Sequence, residues 1–289
     1  MKIYKIICLG DSITGTCCTG YDFYDGLKFY PFLLGEHFNC EIKNYGQGNN
    51  SNEKIGIDIL DVLQKENTDD SFFVIGWSSA IRRLVYMEDR NTLENIGDAT
   101  ESRPWYKSSL IDTYATLKSM IIAQTFLEQS NVPYVNFFGW KSDFYFDDSS
   151  IEWIGKPYVD YGKSMEWKGG FDKKQGDGIN LYNYKSNMWS NAVTEDDKIK
   201  KEHPFDFINY LTSKLNLESF IPIEFYNFLV SKGIKKSTFS PIFNKNTEIP
   251  VFNDEILVIS KDDLHPNELG HRLWTEEILI PHIEKVLKL

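Results

Sequence analysis

Apolar residues recur along the chain in two alternating rhythms. Residues 3–9 (Ile-Tyr-Lys-Ile-Ile-Cys-Leu) form a β-branched apolar run that stops at Gly10, the pattern of a strand buried on both faces. Leu27, Tyr30, Leu33, Leu34 and Phe38 then fall at helical spacing over 26–38, although Pro31 weighs against a helix there. Residues 40–45 read as a second strand. Asn50 precedes Glu53 by three, a capping-box arrangement that predicts a helix start, and Ile55, Ile59, Val62 and Leu63 follow on one face. Phe72 to Ile75 is another short buried strand. Leu110, Tyr114, Leu117 and Ile121 mark a long helix, and Pro133 to Phe138 a fourth strand. Strands separated by helical patterns predict βαβ units. The expected fold is therefore α/β, a three-layer sandwich with a mostly parallel central sheet.

Residues 140–200 break the rhythm. The 50 residues from Trp140 to Trp189 hold 12 aromatics, among them four of the seven tryptophans, with no sustained period of either kind. Linkers are not built from tryptophan, so the segment reads as an ordered insertion. Helical patterns resume at 205–215 and 220–230. The last helix is expected from Pro266 to about Leu287, with a kink at Pro281. The organisation predicted is a single domain, 1–289, carrying an insertion at about 140–200.

Composition narrows the function classes. The chain has 289 residues, 42% hydrophobic and 25% charged, which suits a globular protein with a full core. A net charge of -11 without any basic stretch argues against nucleic acid and against anionic lipid as partners. No apolar run is long enough for a membrane helix. The N-terminal residues run straight into Gly10-Asp11-Ser12 and read as a strand rather than a signal peptide, implying cytoplasmic synthesis and leaving the final location open. Cys8, Cys17, Cys18 and Cys40 lack zinc-ligand spacing, and adjacent Cys17 and Cys18 suit no ordinary disulfide framework; they read as reduced thiols. No pair of histidines has metal-ligand spacing, and neither a metal nor another cofactor is implied. An enzyme, a binder of small ligands or glycans, and a structural component remain. An oligomer or larger assembly is left open.

The candidate chemistry lies at the two ends. Gly10-Asp11-Ser12-Ile13-Thr14 follows the first strand directly, and the carboxyl ends of parallel strands are where ligands bind. A serine there points its hydroxyl into the crevice, but it needs a base to act as a nucleophile. Asp262-Asp263-Leu264-His265-Pro266 supplies one. A carboxylate three residues before a histidine can accept a hydrogen bond from Nδ1–H and leave Nε2 for the serine. Asp263 rivals Asp262 for that role, and the spacing favours Asp262. Read singly, Ser12 would more often be a helix cap or phosphate contact, and Asp262 with His265 would cap the last helix. Their joint placement is harder to ascribe to accident.

These two blocks resemble those of the SGNH/GDSL hydrolase family, whose first block is Gly-Asp-Ser and whose last is Asp-x-x-His followed by proline. The resemblance covers roughly 1–140 and 250–289. It implies the flavodoxin-like SGNH fold, with Ser12 as nucleophile, His265 as general base and Asp262 as its orienter. It further implies hydrolysis of a small ester, or of an acylated glycan such as an O-acetylated carbohydrate, through an acyl-enzyme and without metal. The same resemblance admits an acyltransferase, or a non-catalytic glycan-binding or accessory protein.

The middle blocks depart from the family pattern. The second usually reads Asn-x-x-x-x-Gly, its glycine N–H donating to the oxyanion; here Asn44 leads to Asn49 at that position, with Gly48 one residue before it. Asparagine tolerates the left-handed conformation, so either Asn49 or Gly48 is the expected donor. The third block usually reads Gly-x-Asn-Asp. Here Gly76-Trp77-Ser78-Ser79 puts Ser78 where the asparagine amide would donate. Arg82 and Arg83 follow; one of them facing the site is the alternative to the plainer reading, two solvated charges on an exposed helix turn. Asp11 is expected to brace the nucleophile turn, and His271 to be a surface or packing residue. Trp140, Trp153, Trp167 and Trp189 are candidates for a sugar-facing wall, against the plainer reading that they form the insertion's own core.

Overall fold

The computed structural model describes residues 4–15, 28–79, 82–87, 92–96, 109–139, 144–146, 151–153, 210–240, 245–260 and 263–289. Its centre is a four-stranded sheet of β1 (Lys5–Gly10), β2 (Glu41–Asn44), β3 (Ser71–Trp77) and β6 (Tyr134–Phe138), in the order β2-β1-β3-β6. All three pairings are parallel, with Gly10 opposite Gly76 and Trp77 opposite Phe138. Strand side chains alternate between faces, and the two halves of the core follow that alternation. Ile7, Leu9, Phe73 and Ile75 pack with Ile55 and Ile59 of α2 (Asn52–Lys65) and with Leu117 and Met120 of α3 (Ser109–Gln129). Ile6, Cys8, Phe72 and Val74 face the other way. They pack with Tyr30 and Leu34 of α1 (Tyr30–Phe38), Phe225 and Phe228 of α4 (Phe225–Lys232), Trp274 of α5 (Glu268–Trp274) and Ile283 of α6 (Ile280–Leu287). The fold is a three-layer α/β sandwich on a parallel sheet.

Local chemistry moved several boundaries from their expected places. Pro31 lies within the first turn of α1, where a missing N–H costs nothing, so it is compatible with that helix. Ser51, not Asn50, caps α2, its hydroxyl accepting the N–H of Lys54; Glu53 instead accepts the backbone N–H of Leu84. The helix expected from residue 220 begins at Phe225, because Pro222 follows a short 3-10 turn (Leu217–Ser219) and Glu224 occupies the N-cap. A π-helical turn, Thr275–Leu279, joins α5 to α6 just before Pro281, which has no N–H to continue the α ladder.

Three small antiparallel sheets had no counterpart in the expected pattern. β4 (Arg83–Met87) pairs with β5 (Thr92–Ile96). Farther along, β9 (Ile234–Ser240), β10 (Lys245–Phe252) and β11 (Glu255–Ile256) form a meander. Within the aromatic segment, β7 (Phe144–Phe146) and β8 (Ile151–Trp153) pair as a hairpin. Trp140, Trp167, Trp189 and the side chain of Trp153 lie outside what is described, and so do residues 205–209 of the helix expected at 205–215, of which residues 210–212 are helical. No helix among the described residues is long and apolar enough to cross a membrane.

Candidate active site

The turn after β1 is built backbone on backbone. Thr14 and Gly15 donate their N–H groups to Asp11 O, both at 3.0 Å, and Asp11 Oδ1 accepts the N–H of Ile13 at 3.0 Å. A Cβ on Gly10 would lie 2.1 Å from Thr14 Oγ1 and 2.7 Å from Gly76 O, so only glycine lets the strand turn there. Asp11 thus braces the turn as expected, and Ser12 stands at its head, only 3% exposed.

Ser12 Oγ lies 2.7 Å from His265 Nε2, across 253 residues of chain. The histidine loop is held from several sides. Ile259 N–H donates to His265 O at 2.8 Å, Val258 bridges to Pro266, and Asn267 caps α5 through Gly270 N–H at 2.9 Å. His265 Nδ1 lies 2.6 Å from Asp263 Oδ1, which also accepts the His265 backbone N–H at 3.0 Å. A carboxylate at Nδ1 fixes the proton on that nitrogen and leaves Nε2 as the acceptor facing Ser12.

The carboxylate on Nδ1 is thus Asp263, where the three-residue spacing favoured Asp262; Asp262 lies outside the described residues. The physical reason is local. Asp263 closes a tight turn onto Ser260 through paired backbone bonds of 3.0 and 3.3 Å. Its side chain then folds forward as an Asx turn onto residue 265, which sets Oδ1 beside the imidazole.

The second block packs against the nucleophile turn. Asn44 Nδ2 donates to Thr14 O at 2.8 Å, Gln47 N–H to Gly10 O at 3.1 Å, and Asn50 Nδ2 to the same carbonyl at 3.2 Å. A Cβ on Gly46 would lie 2.5 Å from Gly15 N, so the two loops touch through bare backbone. Asn49 takes the left-handed conformation, φ 63°, and its ring of support includes Asn95 of β5, whose side chain bonds Ser51 N–H and Asn50 Oδ1. Among the described residues the backbone N–H groups of Ser12 and Asn49 have no hydrogen-bond partner. Gly48 is buried and bonded.

Ser78 is a different matter from the donor expected of it. It is buried, and its hydroxyl donates to Asp11 Oδ2 at 2.8 Å. A hydroxyl has one hydrogen, so with that bond made Ser78 has none for an oxyanion. Asn52 clamps its backbone, accepting Ser78 N–H at 2.7 Å and donating to Ser78 O at 3.0 Å. Arg82, expected in solvent, instead reaches inward: Nη1 lies 2.9 Å from Asp11 Oδ2 and 2.9 Å from Ser78 Oγ. Arg83 opens β4 rather than sitting on a helix turn. Asn52 and Asn95 were not singled out from sequence as site residues. The polar run Asn49-Asn50-Ser51-Asn52 beside an apolar helix was the available signal, since three of those four are buried.

Burial pushes the Cys8 thiol far up and raises that of Cys40, which suits inert packing thiols. His271 is fully buried between Phe29 and Phe225, a packing residue. Among the described residues no group of three or more His, Cys, Asp or Glu side chains could hold a metal ion.

A parallel α/β sheet with a serine, a histidine and a carboxylate brought together is the arrangement implied by the resemblance of the end motifs to the SGNH/GDSL family. Solved structures similar to this chain include three at 10–15% identity. A member of the lipolytic protein G-D-S-L family from Veillonella parvula DSM 2008 is 15% identical, with 95% of each chain covered and a TM-score of 0.37. A protein described as lipolytic and of the G-D-S-L family from Desulfitobacterium hafniense DCB-2 is 13% identical, with 98% of each chain covered and a TM-score of 0.38. A mutant of the esterase AlinE4 is 10% identical over 74% of this chain and 97% of that one, with a TM-score of 0.33. No protein-family model and no curated protein matches the chain.

Proposed function

We propose that the chain is a serine esterase of SGNH type that hydrolyses a small ester or an acylated carbohydrate through an acyl-enzyme. The observation that carries this reading is the relay Ser12 Oγ, His265 Nε2, His265 Nδ1, Asp263 Oδ1, with steps of 2.7 and 2.6 Å. In the forward step Ser12 Oγ bonds to the carbonyl carbon while its proton passes to His265 Nε2, and the C=O π pair moves onto the oxygen. Collapse of that adduct breaks the ester C–O bond, and the alcohol leaves with the proton from His265. Water repeats the sequence on the acyl-serine and frees the acid. The carbohydrate half of the proposal rests on the aromatic-rich sequence at 140–200, since stacked aromatic faces suit sugar rings.

A fluorophosphonate probe tests the nucleophile directly. The protein should be labelled once, and Ser12→Ala or His265→Ala should abolish labelling. Equal labelling of the Ser12→Ala protein would remove the relay from consideration. A non-catalytic, glycan-binding protein on the same fold is the second reading, favoured by the loss of Ser78 as a donor. It predicts no labelling of the native protein at all.

A further inference from the structure

The donor expected at position 78 is committed to Asp11, and the group that reaches the same place is Arg82. Arg82 Nη1 donates to Asp11 Oδ2 and Ser78 Oγ, both at 2.9 Å. The guanidinium has three more N–H bonds, one on Nε and two on Nη2. Among the described residues none of the three has a partner, and Nε is buried. Buried donors are almost always paired, so the unpartnered Nε, on the same edge as Nη2, calls for an explanation. Position supplies one. Asp11 immediately precedes Ser12, and Ser78 lies two residues past Gly76, the sheet partner of Gly10. The guanidinium therefore sits past the ends of β1 and β3, at the level of the serine, with its side chain 16% exposed.

We propose that Arg82 is the side-chain donor of the oxyanion pocket, standing in for the asparagine of the family pattern. The inference rests on Ser12 being the nucleophile. When Ser12 adds to the carbonyl, the new negative charge on oxygen meets the backbone N–H groups of Ser12 and Asn49 and, from Arg82, the unused hydrogens of Nη2. Asp11 then has two tasks. Oδ1 shapes the serine turn, and Oδ2 holds one edge of the guanidinium so that the other faces the crevice. In the resting site the Asp11 charge balances that of Arg82. A charge-assisted donor is stronger than the neutral amide it replaces, which compensates for a geometry set by a longer side chain.

Arg82→Lys is the decisive variant. Lysine keeps the counter-charge for buried Asp11, but a single nitrogen cannot serve Asp11 and an oxyanion on opposite edges. With an uncharged aryl acetate, kcat should fall about 10²–10³-fold with KM little changed, and the rate of fluorophosphonate labelling should fall in parallel. Circular dichroism and melting should remain native. Arg82→Ala should be partly rescued by millimolar guanidinium, and if that variant fails to fold, Arg82→Lys carries the test alone. Full kcat and full labelling rate in Arg82→Lys, with Ser12→Ala silent, overturns the role of Arg82 and leaves the nucleophile in place. A rise in KM confined to anionic esters, with kcat intact, also overturns it and makes Arg82 a contact for a substrate carboxylate. Turnover by Ser12→Ala at the native rate overturns the nucleophile and the inference together.

Discussion

His271→Phe should make the protein less sensitive to acid. His271 sits in α5 at 1% exposure, with ring centroids 4.9 Å from Phe29, 5.1 Å from Phe225 and 6.2 Å from Tyr30. Neither ring nitrogen has a hydrogen-bond partner. Burial, helped by the nearby charge of His265, pushes the imidazole down from 6.5 to about 3. The unfolded chain therefore takes up a proton at this residue below pH 6.5 that the folded chain refuses until about pH 3. Stability is fully present above 6.5 and falls by about 1.4 kcal/mol for each further pH unit of acidification, until the folded group also titrates. At pH 5 the loss from this residue is about 2 kcal/mol.

Phenylalanine fills the same aromatic nest without a proton to take up, and it removes an unsatisfied N–H, so at pH 7 the variant should be as stable as the native protein or slightly more so. Melting followed by circular dichroism at pH 7 and pH 5 reads the effect. Between the two pH values the native protein should lose ~4–8 °C more than His271→Phe does. Every other titrating group is shared, so the difference belongs to residue 271. Parallel losses in the two proteins would mean that the folded state accommodates the imidazolium and that the nest is not as dry as its contacts imply.

Two further expectations concern the active-site supports. Asp263→Asn should lower kcat on the order of 10⁴-fold by leaving the Nδ1 proton without a carboxylate, and Asp262→Asn should show the smaller loss; the reverse ranking would return the orienting role to Asp262. Asn52→Ala removes the clamp on both backbone polar groups of buried Ser78 and a bond to Thr116 Oγ1. It should cost about 2–3 kcal/mol in urea titration, and a loss below 0.5 kcal/mol would show that water replaces the amide freely.

The regular part of the fold was legible because each strand and helix shows its burial in its own sequence. Ile6 and Ile7 face opposite halves of the core, so a run apolar at both parities could only be a central strand. Ser12 and His265 were legible for a different reason: each stands where a strand or a proline-stopped loop ends, and such positions need no knowledge of what lies opposite. What failed depended on contacts between distant segments. Asp262 and Asp263 differ by one position, and the choice between them is made by Ser260, which captures Asp263 in a turn. Arg82 on an exposed turn would be a solvated charge; the hairpin at 83–96 and the carboxylate 71 residues upstream bring it inside. The meander at 234–256 was missed because β9, Ile-Lys-Lys-Ser-Thr-Phe-Ser, lacks apolar alternation, and Ile234 and Phe239 are exposed in the structure.

The Asp11–Arg82 pair bears on how the whole site should be understood. Taking two charges out of water costs several kcal/mol per ion, and the pair's attraction recovers this only with good geometry and further hydrogen bonds. Asp11 has such bonds, to Ile13 N–H and Ser78 Oγ, while Arg82 leaves an edge unused. As a device for stability the pair is half-built, and a hydrophobic pair of similar volume would serve the fold as well. Its incompleteness is lopsided, falling on the cationic partner and beside the serine. An arginine held by one edge on a buried carboxylate has little freedom to turn, and a fixed donor incurs no reorganisation cost when charge develops in front of it. Asp11 therefore links the two halves of the site: the bond to Ile13 sets where the serine attacks from, and the bond to Arg82 sets where the resulting charge can be met.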